Sequence, residues 1–392
     1  MTKLEKLIQE LCPEGVEYKE ISEVTNYEQP SKYIVKSTAY RDEYEIPVLT
    51  AGQSFVLGYT DESDGVYPAS KATPVIIFDD FTAAFKWVVF PFKVKSSAMK
   101  IITAKEDSLL IRFLFHWMGV LNYSSTEHTR LWIGTYSKFR IPVPPQPVQR
   151  EIVRILDNFT ELTAELTAEL TARKQQYAYY RDKLLTFAAQ GETILTDKPN
   201  ALNRLCQYVS EFIFVKLSDI SVNCDSLRKP VTSGNREAGN IPYYGASGIV
   251  DYVKDYIFDG DYLLISEDGA NLLARNTPIA FSISGKNWVN NHAHILRFNN
   301  RITQRYVEIY LNSIDLSPYI SGGAQPKLNQ QNLYKIPIPL PSYQKQKEIV
   351  TILDRFDTLC TDLSSGLPAE IEARQKQYEY YRDKLLTFTP AD

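Results

Sequence analysis

A tract of sixteen residues that occurs twice does most to limit what this chain can fold into. Ala172-Arg-Lys-Gln-Gln-Tyr-Ala-Tyr-Tyr-Arg-Asp-Lys-Leu-Leu-Thr-Phe187 returns as Ala373-Arg-Gln-Lys-Gln-Tyr-Glu-Tyr-Tyr-Arg-Asp-Lys-Leu-Leu-Thr-Phe388, with thirteen of sixteen positions identical. Upstream, Ile141-Pro-Val-Pro144 leads into Glu151-Ile-Val-Arg-Ile-Leu-Asp-Asn-Phe159, and Ile336-Pro-Ile-Pro339 leads into Glu348-Ile-Val-Thr-Ile-Leu-Asp-Arg-Phe356. Weaker landmarks stay in register at offsets of 195 to 201 residues: Ile21–Val24 with Leu217–Ile220, Ile46-Pro47 with Ile241-Pro242, and Trp87 with Trp288. A repeat of this length means that one supersecondary plan is used twice. The order is variable domain, helix, variable domain, helix.

The duplicated segments read as helices because apolar residues recur at spacings of three and four: Ile152, Ile155, Phe159, Leu162 and Leu166, then Tyr177, Tyr180, Leu184 and Phe187. The second copy repeats the seam at Ile349, Ile352, Phe356, Leu359 and Leu363, then Tyr378, Tyr381, Leu385 and Phe388, a pattern suited to helix-on-helix packing. Prolines mark both starts, and Gly366 with Pro368 should interrupt the second helix, whereas nothing breaks the first from Glu151 to Phe187. Thr160 to Leu170 contains the helix-forming unit Thr-Ala-Glu-Leu in tandem, each copy worth about 6 Å of helix. The variable domains carry short apolar runs such as Pro74–Phe78 and Tyr262–Ser266, and helical patterns near 108–121 and 303–312. The fold class is α+β: two mixed α/β domains in pseudo-two-fold relation, separated by two long antiparallel coiled-coil-like helices. The boundaries fall at 1–145, 146–190, 191–340 and 341–392.

A chain of 392 residues suffices for two cores, and neither Met1–Lys6 nor any later stretch has the apolar length of a signal or a membrane span. A cytoplasmic protein without membrane contact is expected. The four cysteines form no Cys-x-x-Cys pair, so neither a zinc knuckle nor a disulfide framework is indicated. A net charge of −4 excludes DNA coating by bulk attraction and places any nucleic-acid contact on local basic surface.

Two such surfaces can be read. Phe81 to Lys105 has no acid and carries Lys86, Lys93, Lys95, Lys100 and Lys105 among aromatic residues; Gly269 to Val307 also lacks acids and carries Arg275, Lys286, Arg297, Arg301 and Arg305 beside Asn290, Asn291 and His292. Lysine and arginine suit phosphates, and asparagine, glutamine and arginine suit base edges. Loop-like segments add Thr50, Gln53, Ser54, Ser70, Lys71 and Arg130 in the first domain, and Tyr243, Tyr244, Ser247, Gln325 and Lys327 in the second. No catalytic residue is assigned: a phosphate-cradling glycine loop is missing, Pro144-Pro145-Gln146 fails as a methyltransferase pocket, and Glu17-Tyr18-Lys19 lacks the preceding Asp of a nuclease. His292 and His294 have no carboxylate or cysteine close in sequence, so no metal site is assigned. Asp79-Asp80 and Glu267-Asp268 read as turn formers.

The two Ile-Pro-x-Pro lead-ins, the two Glu-Ile-Val-x-Ile-Leu-Asp-x-Phe helices, the repeated Gln-Tyr-x-Tyr-Tyr-Arg-Asp ends and the Thr-Ala-Glu-Leu units resemble the specificity subunits of type I restriction-modification systems, and the last are similar to the subgroup called type IC. Gly322-Gly323-Ala324-Gln325-Pro326-Lys327-Leu328-Asn329 and Trp288–His292 resemble elements of that family's target-recognition domains. The first domain has Glu127-His128-Thr129-Arg130-Leu131-Trp132 in place of the glycine segment. The resemblance implies a non-catalytic subunit that binds double-stranded DNA, each domain reading half of a split site while the helices set the gap. It further implies two methyltransferase subunits using AdoMet and, for cleavage, ATP- and Mg-dependent restriction subunits, with no cofactor in this chain. The competing readings are a stand-alone DNA-modifying enzyme and a coiled-coil scaffold that does not touch DNA.

Overall fold

The structure is a computed structural model and describes all residues except 52–53, 106–107, 122, 124–128, 187–211, 323–324 and 392. Gln53, Cys206 and the Glu127-His128 and Gly323-Ala324 pairs lie outside the described residues. Two compact units divide the chain: Met1–Ala168 together with Ala369–Asp392, and Glu169–Pro368. The cut therefore passes through the long helix, where the sequence-based boundaries separate domain from helix.

The first unit contains β1 (Tyr18–Glu20), β2 (Thr25–Glu28), β3 (Ile46–Leu49), β4 (Val56–Thr60), β5 (Val75–Asp79), β6 (Phe85–Val88), β7 (Lys93–Val94), β8 (Met99–Ala104) and β9 (Arg140–Pro142). The second contains β10 (Phe212–Val215), β11 (Ser221–Asn223), β12 (Ala238–Gly245), β13 (Gly248–Val253), β14 (Phe258–Asp259), β15 (Tyr262–Ser266), β16 (Ala280–Ile283), β17 (Lys286–Val289), β18 (Ala293–Phe298) and β19 (Ile338–Pro341). Each unit builds one antiparallel four-stranded sheet, ordered β2-β8-β5-β6 and β11-β18-β15-β16. Each builds a second sheet, β4-β3-β7 or β13-β12-β17-β14, containing one parallel pair. The middle strand of the four-stranded sheet is an unbroken apolar run because both of its faces are covered. In β5, Ile76 and Phe78 enter one core while Val75 and Ile77 enter the other. In β15, Leu263 and Ile265 are likewise divided from Tyr262 and Leu264.

Equivalence of the strands corrects two alignments made from sequence. Trp87 lies in β6, paired with β5, whereas Trp288 lies in β17, paired with β12. The residue at the position of Trp288 is Lys93, since Val48 faces Lys93 as Tyr243 faces Trp288. The second correction concerns the proline lead-ins. Lys19 faces Ile141 and Val215 faces Ile338, so Ile338–Pro341, and not Ile336–Pro339, is the counterpart of Ile141–Pro144. Buried Gln149 donates to the Pro144 carbonyl at 2.7 Å and buried Gln346 to that of Pro341 at 2.8 Å, which fixes the same register. A two-residue shift keeps every side chain on its face, so alternation alone could not detect it.

The helices agree with the periodicity. Gln146–Leu185 forms a single helix of 40 residues, about 60 Å at 1.5 Å per residue, and Ile111–Leu121 and Arg301–Ser313 are the expected domain helices. The second copy breaks into Tyr343–Thr361 and Leu367–Leu385. A Cβ on Gly366 would sit 2.7 Å from the Asp362 carbonyl oxygen, so only glycine passes there, and Pro368 occupies a first-turn position where its missing N–H costs nothing.

Within the first unit the chain leaves along the start of Gln146–Leu185 and returns along Leu367–Leu385, where Phe159 stacks on Tyr381 with ring centroids 5.3 Å apart. In the second unit the far end of the 40-residue helix meets Tyr343–Thr361, and Tyr180 stacks on Phe356 at 5.8 Å. Each unit thus pairs a Glu-Ile-Val helix from one repeat with a Tyr-Tyr-Arg-Asp helix from the other. Arg112 reaches Asp157 at 2.7 Å in the first unit, and Arg305 reaches Asp354 at 2.7 Å in the second.

A helix not foreseen from sequence, Lys3–Leu11, is capped reciprocally by Thr2 and Glu5. Lys3 ties it to Glu151 at 2.8 Å. Arg154 and Lys3 hold the Glu151 carboxyl well below the usual range, down to about 2. The lowered value means that this stabilisation is complete above the ordinary glutamate range and is lost as pH falls toward 2. Acid unfolding followed by circular dichroism should therefore show a shallower slope between pH 5 and about 2 in Glu151→Gln than in the parent chain.

Candidate nucleic-acid interface

The sequence-selected residues fall into three groups. The first sits at matching corners of the two units. In the first unit Lys95 donates its backbone N–H to the Leu49 carbonyl at 2.8 Å, which brings exposed Lys95 beside half-buried Thr50 and the β3–β4 turn bearing exposed Ser54. In the second, Asn290 donates to the Tyr244 carbonyl at 3.0 Å, next to the β12–β13 turn with exposed Ser247. The side chain of Asn290 accepts from the His292 N–H at 2.8 Å, and Asn291 and His292 are exposed. Lys95 and Asn290 are thus structural equivalents. This corner offers hydroxyl and ammonium groups in the first unit and hydroxyl, amide and imidazole groups in the second, groups that contact base edges and phosphates.

The second group comprises residues elsewhere, exposed except for half-buried Ser70. Ser70 and Lys71 begin a turn closed by a 2.8 Å bond between the Ser70 and Thr73 hydroxyls. Lys86 projects from β6, and Arg130, Arg297 and Gln325 are exposed. Lys286 lies over the Tyr256 ring at 4.6 Å. Lys327, half exposed, is 3.2 Å from Glu267.

The third group requires correction. Lys93 and Lys100 are each 1% exposed. Lys93 pairs with Glu62 at 3.1 Å and donates to the Asp64 carbonyl, while Lys100 pairs with Asp80 at 3.1 Å and donates to the Gln29 side chain. Neither ammonium faces solvent, so neither meets a phosphate. Tyr243 is a core residue, 1% exposed, with its hydroxyl on the Val231 backbone. Tyr244 packs against Phe281 in the smaller core. Arg275, in the left-handed region at φ 55°, donates to the Ile314 carbonyl. Arg305 is held by Glu308, Asp354 and Asp357 and joins its domain to a helix.

The histidines also depart from the sequence reading, because both have carboxylate partners. His292 Nδ1 is 2.9 Å from Asp268, and buried His294 lies 2.6 Å from Asp225 and 3.9 Å from Glu267. Asp225, Glu267 and His294 form a group, among the described residues, with metal-ligating atom types close together. Arg228 at 2.6 Å and Lys327 at 3.2 Å from Glu267 already supply positive charge there. Burial raises the Asp225 carboxyl, but the hydrogen bond and charge of His294 more than offset it and hold it below its usual value. Asp80 and Glu267 are more than turn formers, since their carbonyls accept the N–H of Leu131 at 2.8 Å and of Leu328 at 2.7 Å. Among the described residues no helix is long and apolar enough to cross a membrane.

Residues 13–173 and 210–373 match the family described as type I restriction modification DNA specificity domain. The type I restriction enzyme EcoR124I/EcoR124II specificity subunit of Escherichia coli is 39% identical over 421 aligned residues, covering 99% of this chain and 97% of that protein. The crystal structure of a type I restriction-modification S subunit from M. genitalium superposes with a TM-score of 0.61 at 15% identity, covering 95% of this chain and 96% of that one. A chain from a study of type I R-M complex assembly and conformational transition gives a TM-score of 0.51 at 16% identity over 95% and 97% of the two chains. These two likenesses concern the fold. Because the family match takes in both repeats and the Escherichia coli relative aligns almost from end to end, this chain belongs to the type I restriction-modification specificity subunits, the non-catalytic members that recognise DNA sequence.

Proposed function

We propose that each unit reads one half of a bipartite double-stranded DNA site, and that the helices set the unread gap and dock two copies of a methyltransferase subunit. The observation that carries this reading is the shared strand order of two units whose corner residues differ at equivalent positions, exposed Lys95 in one and, in the other, buried Asn290 followed by exposed Asn291 and His292. One scaffold with two sets of reading groups suits two unlike half-sites. The Glu-Ile-Val and Tyr-Tyr-Arg-Asp tracts of the helices, by contrast, are nearly identical in the two repeats, which suits binding the same partner twice. AdoMet belongs to those methyltransferase subunits, and ATP with Mg to restriction subunits that join for cleavage. The assembly works in the cytoplasm.

The test is a gel shift of the full chain with its methyltransferase subunit on duplexes carrying the two half-sites, identified by methylome sequencing. Binding should need both half-sites at one spacing and weaken steeply with salt. Lys95→Ala and Arg297→Ala should each lower the slope of log affinity against log salt by about 0.9 if one phosphate contact is lost. Lys93→Ala should leave that slope unchanged and instead destabilise the first unit, because it empties a buried position and removes the ammonium paired with half-buried Glu62. DNA methylation or cleavage by the purified chain alone would overturn the reading.

A further inference from the structure

The same rung of the four-stranded sheet carries a buried basic side chain in both units, although the residue differs. Lys100 faces Phe78 across β5 and β8, and His294 faces Ile265 across β15 and β18. Two residues beyond each partner stands the acid, Asp80 or Glu267, and just beyond β2 or β11 stands the second acceptor, Gln29 or Asp225. Both basic residues are 1% exposed.

Both ring nitrogens of His294 face acceptors. Nε2 lies 2.7 Å from the Leu328 carbonyl and Nδ1 lies 2.6 Å from the Asp225 carboxyl. The ring stands where the first repeat has the Lys100 ammonium, which likewise bridges two acceptors, Asp80 and Gln29.

Both side chains sit beside the acid that clips a single segment. The Asp80 carbonyl takes the Leu131 N–H at 2.8 Å and its carboxylate takes the Trp132 N–H at 2.9 Å. The Glu267 carbonyl takes the Leu328 N–H at 2.7 Å, and His294 Nε2 meets the carbonyl of the same leucine at 2.7 Å. Leu131 and Leu328 are buried, and each follows an exposed basic residue, Arg130 or Lys327. A buried basic side chain, an acid and a clipped leucine therefore fix where an exposed basic group leaves the domain surface. A surface contact would be too weak and too mobile to do this, whereas a desolvated polar one is geometrically strict.

We propose that Lys100 and His294 are positioning residues, each holding the segment that presents Arg130 or Lys327 and thereby setting base discrimination in the half-site read by its own unit. The proposal rests on the reading that each unit serves one half-site. Lysine and histidine are interchangeable at this rung because each sets buried nitrogen between the same kinds of acceptor.

The experiment uses the full chain produced with its methyltransferase subunit, with base discrimination at every position of both half-sites measured by methylome sequencing. His294→Gln, neutral but able to hydrogen-bond, should lower discrimination in one half-site about tenfold and leave the other half-site and the gap unchanged. His294→Lys, which installs the residue of the first repeat, should restore most of it. Lys100→Gln should relax the opposite half-site. Unchanged discrimination in His294→Gln, or a loss that His294→Lys fails to restore, overturns the clip. If Lys100→Gln and His294→Gln relax one and the same half-site, the assignment of one unit to each half-site fails instead.

Discussion

A chain lacking Thr167–Leu170 should direct its methyltransferase subunit to the same two half-sites at a gap shortened by one or two base pairs, and should lose the original spacing. These residues form one turn inside the uninterrupted helix Gln146–Leu185. Removing four residues takes out about 6 Å of rise, close to two base pairs at about 3.4 Å each, and rotates the remainder of the helix by only about 40° because 3.6 residues complete a turn. The cut disturbs little locally. Leu166 and Leu170 are both half-buried and both precede a threonine, so the new Leu166-Thr171 junction reproduces the original Leu170-Thr171 one. Thr163 satisfies its hydroxyl on the Phe159 carbonyl at 2.8 Å, within the turn that stays. No strand of either recognition sheet is altered, which is why the half-site sequences should hold. Insertion of a further Thr-Ala-Glu-Leu unit should lengthen the gap by the same step. Methylome sequencing of cells producing each variant with the methyltransferase subunit reads the gap directly, and an unchanged gap would refute the ruler.

How much of the fold and the interface was legible in the sequence depends on the range of the interaction concerned. Helix periodicity is local, so the 40-residue helix, the break at Gly366 and the two domain helices could all be read from spacing. The buried strands were legible because β5 and β15 are apolar on both faces. The paired stacking of Phe159 on Tyr381 and Tyr180 on Phe356 accords with the duplicated seams. Charge partnerships are not local. A stretch free of acids along the chain need not be free of them in space: Glu62 and Asp80 come from other segments to neutralise Lys93 and Lys100. His294 finds Asp225 across 69 residues, and Arg305 finds Asp354 across 49. One signal could have exposed the buried lysines. Lys93 and Lys100 flank the apolar residues of two short strands, where a lysine pointing inward must bring an acid with it. The mistaken pairing of Trp87 with Trp288 has a related cause, since tryptophan is rare enough to look like a landmark while backbone hydrogen bonds alone define strand equivalence.

Replacing Arg305 with methionine should cost the second unit about 3 kcal/mol. Arg305 donates to Asp354 and Asp357, each at 2.7 Å, and to Glu308 within its own helix. Burial opposes its charge, but those three acids more than compensate and raise its pKa above the ordinary arginine value. Methionine keeps most of the packing volume and removes the compensation. Glu308, 6% exposed and already held above the usual glutamate range by burial, then has only the Ser282 hydroxyl and the Gln304 network beside it. The pH dependence has a definite sign. A carboxyl whose folded pKa is raised contributes stability below its unfolded pKa and loses it as pH rises through the folded value. Without Arg305 the Glu308 value rises further, so the deficit of Arg305→Met relative to the parent should be greatest at neutral pH and shrink toward pH 5. Arg305→Met combined with Glu308→Gln should recover part of the loss and flatten that dependence. Calorimetry of the full chain at several pH values tests all three statements, and a deficit independent of pH would show that packing against Tyr343–Thr361, and not the buried charge, accounts for the role of Arg305.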